Sequence, residues 1–175
     1  VPEDLASRVY TTRLLGRDPR LVLHGGGNTS VKARATDVTG AEHDVLHVKG
    51  SGWDMATIEV AGLPAVRLEP LRRLRSLDEL GDDDMVNFLR ANLLDSSAPN
   101  PSVETLLHAF LPHKYVDHTH ANAILSLTNQ PDGESICRDV YGERMGIVPY
   151  IMPGFDLARE AAKVFETNTD VQGLI

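Results

Sequence analysis

The sequence predicts an α/β or α+β fold, because helical and strand patterns alternate along the whole chain. Three observations carry this prediction. Val31, Ala33 and Ala35 alternate with polar neighbours as in a half-buried strand. Residues 44–48 are rich in β-formers and run into a small-residue turn. Leu157, Ala161, Ala162 and Phe165 recur at helical spacing. At 175 residues the chain is long enough for one domain with one sizeable core. With 42% hydrophobic and 24% charged residues of both signs, it has the make-up of an ordinary globular protein.

The elements follow in order. A first helix is expected over residues 3–15, where Leu5, Val9 and Leu14 or Leu15 stand near helical spacing. Pro2, Glu3 and Asp4 at its front suit a helix N-terminus. The apolar run 21–23 leads into Gly25-Gly26-Gly27-Asn28, and a strand is expected over 29–35. The strand at 44–48 ends at Lys49-Gly50-Ser51-Gly52, a second small-residue turn that again follows a strand. Weaker patterns suggest short strands near 57–60 and 65–68 and a helix over 82–94. Pro99-Asn100-Pro101-Ser102 caps a helix carrying Val103, Leu106, Leu107 and Phe110, which Pro112 stops. A strand over 115–120, a short helix over 121–127, a turn at Gln130-Pro131-Asp132-Gly133, a strand over 146–151 and a helix over 156–165 complete the series. Residues 171–175 read as the start of a strand without a turn after it. With Val1 in place of an initiator methionine, this gives the expectation of a segment cut from a longer chain.

Charge excludes some functions. A net charge of −8 works against binding nucleic acid, whose affinity comes from basic residues displacing phosphate counterions. The basic cluster Arg67, Arg72, Arg73 and Arg75 is followed by Asp78, Glu79 and three further aspartates, so it reads as a solvated or interface segment. No apolar run approaches the roughly 20 residues a membrane span needs, and Glu3, Asp4 and Arg8 stand where a signal peptide would be apolar. Cys137 is alone, which rules out an intrachain disulfide and suits the cytoplasm.

Chemistry concentrates in Asp117-His118-Thr119-His120. Two histidines at i and i+2 on a strand share a face and can reach one metal ion, or can each be satisfied by hydrogen bonds at a strand end. Glu104, two residues past the helix-starting Ser102, can ligate a metal, move a proton on a polarised substrate, or simply favour its helix terminus. His108, four residues on and on the same helix face, can support that site from behind or pack; packing is the preferred reading. His24, His43, His47 and His113 match no ligand spacing. Both small-residue turns expose backbone N–H groups of the kind that cradle phosphate, or serve as connections; neither fits a dinucleotide fingerprint or a P-loop.

Taken in order, Gly27-Asn28-Thr29-Ser30, Lys49-Gly50-Ser51-Gly52, Pro101-Ser102-Val103-Glu104 and His118-Thr119-His120 resemble the class II aldolase/adducin family, over roughly residues 3–175. From Tyr115 through Pro153-Gly154-Phe155-Asp156 the chain looks most like the aldolase portion of bifunctional rhamnulose-phosphate aldolase/short-chain dehydrogenase proteins. The resemblance implies a three-layer αβα fold with a central, mostly antiparallel sheet, in a homo-tetramer whose active sites lie between subunits. It implies a zinc-dependent aldolase that cleaves a ketose 1-phosphate of the rhamnulose or fuculose type to dihydroxyacetone phosphate and an aldehyde. Asn28, Ser51, Gly52 and Ser102 match phosphate-binding places, Glu104 the catalytic acid/base, and His118 and His120 two of three zinc ligands. Val103 stands where a second serine often precedes that glutamate, which puts one phosphate contact in question. The third histidine is expected beyond Ile175, as is a late tyrosine acting from a neighbouring subunit. A ribulose-phosphate-type epimerase fits nearly as well. A noncatalytic adducin-like assembly module fits less, since such heads lack a full ligand set.

Overall fold

The computed structural model describes residues 1–175. Its helices are α1 (Glu3–Gly16), α2 (Leu68–Arg73), α3 (Asp82–Ala91), α4 (Thr105–Phe110), α5 (Asn122–Thr128), α6 (Gly133–Tyr141) and α7 (Phe155–Thr167). The strands are β1 (Asn28–Thr36), β2 (Glu42–Val48), β3 (Ala65–Arg67), β4 (Tyr115–His118), β5 (Met145–Gly146) and β6 (Gly173–Leu174). Four of them form one antiparallel sheet in the order β3-β2-β1-β4, and β5 and β6 pair in parallel. Helices cover both faces of the main sheet, giving the mixed, layered architecture expected.

Neighbouring residues of β1 show how the faces are used, because successive side chains on a strand point oppositely. Thr29 meets Thr12 of α1 through a 2.6 Å hydroxyl contact, while Ser30 meets His108 of α4 at 2.8 Å. On the α1 side, Leu5 and Val9 pack with Ile58 and Leu63. On the other side, Leu46, Val48 and Val66 from the sheet pack with Leu71, Met85, Leu89, Leu106 and Phe155 from four helices. That second layer is the main core.

Arg8 ties α1 to the strands that carry the candidate site. Its side chain is 2% exposed, pairs with Asp117 of β4 at 2.7 Å, donates to the Ser30 carbonyl at 3.2 Å and lies over the Tyr115 ring at 5.5 Å. Burying a guanidinium is costly unless it is paired and hydrogen-bonded, and these contacts meet most of that demand.

Several expectations are corrected. Residues 57–60 form no strand: Thr57 lies in a turn and Val60 opens a short 3-10 helix, Val60–Gly62. β4 ends at His118, so His120 lies past the strand. Of the strand expected over 146–151, only Gly146 pairs, as the second residue of β5, with one further bond from Val148 N to Ile175 O at 2.7 Å. Pro149 comes next, and its missing N–H cannot extend a ladder. α6 was not anticipated: the β-branched and short polar residues of Gly133–Tyr141 disguise a helix that buries only Gly133 and Cys137.

Candidate functional site

The site forms where the start of β1 meets the end of β4. In that antiparallel pair Asn28 stands opposite His118, so both side chains emerge on the α4 face. The glycine turn before β1 lies directly beneath. Gly27 holds φ +75, and a Cβ there would come 2.6 Å from the His118 carbonyl oxygen; one on Gly26 would come 2.9 Å from His120 Nδ1. Only glycine allows the turn to pass this close to the histidine segment. The segment is held from behind as well, since His120 N donates to the Leu21 carbonyl at 3.0 Å.

The second turn reaches the same end of the sheet, because Val48 at its root pairs with Ser30. Ser102 N donates to the Lys49 carbonyl at 3.1 Å and Ser51 N to the Asn100 carbonyl at 2.8 Å, so the turn and the approach to α4 lie side by side. The Ser102 hydroxyl then accepts from Glu104 N at 3.3 Å, which seats Glu104 at the N-cap of α4. The Ser51 hydroxyl is directed to the Pro101 carbonyl at 3.4 Å. Gly52, at φ +83, has open space about its Cα. Neither of these two residues hydrogen-bonds Asn28, Ser102 or Glu104.

Glu104 is the centre of the cluster. Its Oε2 accepts from Asn28 Nδ2 at 2.5 Å and from His118 Nδ1 at 2.9 Å, and the Asn28 amide also reaches Ser102 Oγ at 3.1 Å. Burial pushes the carboxyl upward in pKa, but the hydrogen bond and charge of His118, the Asn28 amide and nearby His108 outweigh it and bring it down to about 2. The group is therefore ionised at neutral pH and can only accept. His118 must then carry its proton on Nδ1, which leaves the Nε2 face available. The His118 and His120 rings stand 4.9 Å apart, edge to face. Burial, together with His118, draws the His120 pKa down, against a smaller upward pull from Glu104.

His108, read from the sequence as a packing residue, is fully buried and hydrogen-bonded on both ring nitrogens, to Ser30 Oγ and Asn28 Oδ1. Its i+4 position from Glu104 was the signal that pointed here. No group of three or more His, Cys, Asp or Glu side chains is arranged to hold a metal ion. The residues present nevertheless fit part of a zinc site: zinc takes imidazole nitrogen and carboxylate oxygen, and two imidazoles converge beside a carboxylate that orients one of them. A surface cavity of about 480 Å³ beside α7 lies apart from this cluster; its Arg75 and Lys163 pair with Glu166 and Glu160. No helix is long and apolar enough to cross a membrane.

Residues 6–175 match the family described as Class II Aldolase and Adducin N-terminal domain. The chain is 42% identical over 168 residues to the uncharacterized oxidoreductase YuxG of Bacillus subtilis (strain 168), covering 96% of this chain and 24% of the length of that curated relative. It superposes with a TM-score of 0.92 and 41% identity on the N-terminal class II aldolase domain of a conserved protein from Thermoplasma acidophilum, over 100% of this chain and 80% of that one. The match in sequence and the match in structure lead to one conclusion: this chain belongs to the class II aldolase/adducin family.

Proposed function

We propose that this domain is the lyase part of a zinc-dependent aldolase, which cleaves a ketose 1-phosphate of the rhamnulose 1-phosphate or fuculose 1-phosphate type to dihydroxyacetone phosphate and an aldehyde. The observation that carries the reading is the meeting of Glu104 with Asn28, Ser102 and His118 at one end of the sheet, in a chain of this family. His118 and His120 would hold the metal. When bound, such a metal supplies Lewis-acid stabilisation of the charge released at the substrate carbonyl.

The chain's own residues do the rest. Ser102, with Ser51 and Gly52 from the adjoining turn, holds the substrate phosphate through hydroxyl and backbone N–H donors, and Asn28, matched to the same phosphate place, would release one of the two amide protons it commits to Glu104 and Ser102 to join them. Glu104, ionised and seated at the N-cap of α4, is the base that takes the proton from C3 of dihydroxyacetone phosphate in the condensation direction; in cleavage the same carboxyl, in its protonated form, returns that proton to the carbon. Binding the phosphate at a fixed distance from this carboxylate converts proton transfer into a reaction within one complex. The assembly in this reading is a homo-tetramer in the cytoplasm, serving rhamnose-type sugar breakdown.

A coupled assay for dihydroxyacetone phosphate, run on the full-length protein loaded with zinc, tests the reading. Release from either sugar phosphate supports it. A folded, zinc-loaded protein that cleaves neither overturns it and turns attention to epimerisation or to a noncatalytic role.

A further inference from the structure

The hydrogen bonds behind Glu104 admit one assignment of donors and acceptors. Glu104 is a carboxylate and can only accept, so the face of the Asn28 amide turned to it at 2.5 Å is Nδ2. Asn28 Oδ1 therefore faces His108 Nε2, also at 2.5 Å. An amide oxygen has no proton to give, so the proton between them sits on His108 Nε2. Burial depresses the His108 pKa to about 3, assisted by the charges of His118, Lys32 and Arg8 and opposed by Glu104, so the ring is neutral. A neutral ring protonated at Nε2 presents a lone pair at Nδ1, and Ser30 Oγ, 2.8 Å away, donates to it. Lys32 Nζ, two residues along β1 from Ser30, also holds that helical turn, donating to the His108 carbonyl at 2.8 Å.

The result is a directed chain running outward from the core: Ser30 to His108, His108 to Asn28, Asn28 to Glu104. Its first two members are fully buried, so water cannot substitute for a missing donor. Turning the Asn28 amide over would set Oδ1 against the Glu104 carboxylate and the amide protons against the protonated His108 Nε2, repulsive at both ends.

We propose that His108 is a positioning residue: with its tautomer set by Ser30, it holds the Asn28 amide in the one orientation that presents N–H groups to Glu104 and Ser102. The proposal rests on the reading of Asn28 and Glu104 as site residues. It assigns His108 no contact with substrate or metal.

The test uses full-length protein with 15N-labelled histidine rings and labelled asparagine side chains. NMR is expected to show His108 neutral and protonated at Nε2, with the Asn28 side-chain amide protons slow to exchange. Ser30→Ala should admit the other His108 tautomer and speed that exchange. Rates of dihydroxyacetone phosphate release from rhamnulose 1-phosphate supply the second arm. His108→Leu should lower kcat about 10–100-fold at unchanged zinc content, the usual worth of a group that orients a site's side chains. His108→Gln, which keeps an N–H aimed at Asn28 Oδ1, should recover most of that loss. A ring protonated on Nδ1, or Gln and Leu variants equally impaired, overturns the proposal. If His108→Leu does not fold, Ser30→Ala and the parent's tautomer still decide. If the parent cleaves no sugar phosphate, the lyase reading fails, and the NMR arm alone judges the role of His108.

Discussion

At the scale of single residues, Glu104 and His118 share one hydrogen bond yet are assigned different work, and substitution separates them. Glu104→Gln keeps the size and an acceptor oxygen but cannot take up a proton, so cleavage should fall by about 10²–10⁴-fold while zinc content holds. His118→Ala and His120→Ala each remove an imidazole, so zinc content and activity should fall together. Metal analysis beside the dihydroxyacetone phosphate assay reads both; a Glu104→Gln protein at parental rate would remove the acid/base assignment. His108 makes a separate prediction in acid. The unfolded ring takes a proton as pH falls below about 6.5, whereas the folded ring does so only near 3. Between those values the unfolded state binds the extra proton, so stability is complete above about 6.5 and declines as pH falls. Urea denaturation between about pH 4 and 6 should show His108→Gln with a stability slope shallower than the parent by about 1.4 kcal/mol per pH unit. Equal slopes would mean that the buried ring is already charged.

At the scale of elements, the site depends on three backbones meeting: the glycine turn, the end of β4 and the start of α4. The tightest meeting is Gly27 against the His118 carbonyl. Gly27→Ala imposes φ +75 on a residue with a Cβ and pushes that Cβ into a carbonyl oxygen, so it should cost about 1–3 kcal/mol and displace His118 from Glu104. Denaturant unfolding and cleavage rate measured together would show both losses. Gly40→Ala serves as the comparison: it shares a positive φ of 86 but has nothing within 4 Å of the added atom, so any activity loss confined to Gly27→Ala is the effect of the close approach.

At the scale of the whole molecule, burial is uneven. Leu46 of β2 is fully buried in the core between the sheet and its helices, whereas α5 buries none of its residues. Leu46→Ala should destabilise the domain by about 2–5 kcal/mol, through lost transfer energy and the cavity left behind. Leu125→Ser on α5, at a residue 38% exposed, should change it by less than about 0.5 kcal/mol. Thermal or urea unfolding checks the pair, and comparable losses would show that α5 is covered in the working protein. Arg8 links this scale back to the site, since one buried guanidinium joins α1, the Ser30 backbone and Asp117 next to His118.

Local patterning determined much of this protein. The ends of α1, the alternation of β1 and β2, the prolines framing α4 and the order of four short motifs depend on neighbours a few residues apart, where propensity and spacing act directly. The motif residues Asn28, Ser102, Glu104 and His118 were picked out by the order of their motifs, which resembles the family's, since spacing by itself left purely structural readings open. Other features were decided by contacts between distant segments. β4 stops at His118 because β1 begins at Asn28, its register partner. The strand expected at 146–151 gave way to β5, two residues long, because its only partner is the two-residue β6, and Pro149 offers no N–H beyond. His108 is 80 residues from Asn28 and 78 from Ser30, so its two hydrogen bonds, its neutral tautomer and the direction of the amide it holds exist only once the sheet and α4 have packed. Sequence spacing places residues on a face of their own element; which polar groups end up without water, and must therefore satisfy one another, is settled by the layers closing over them.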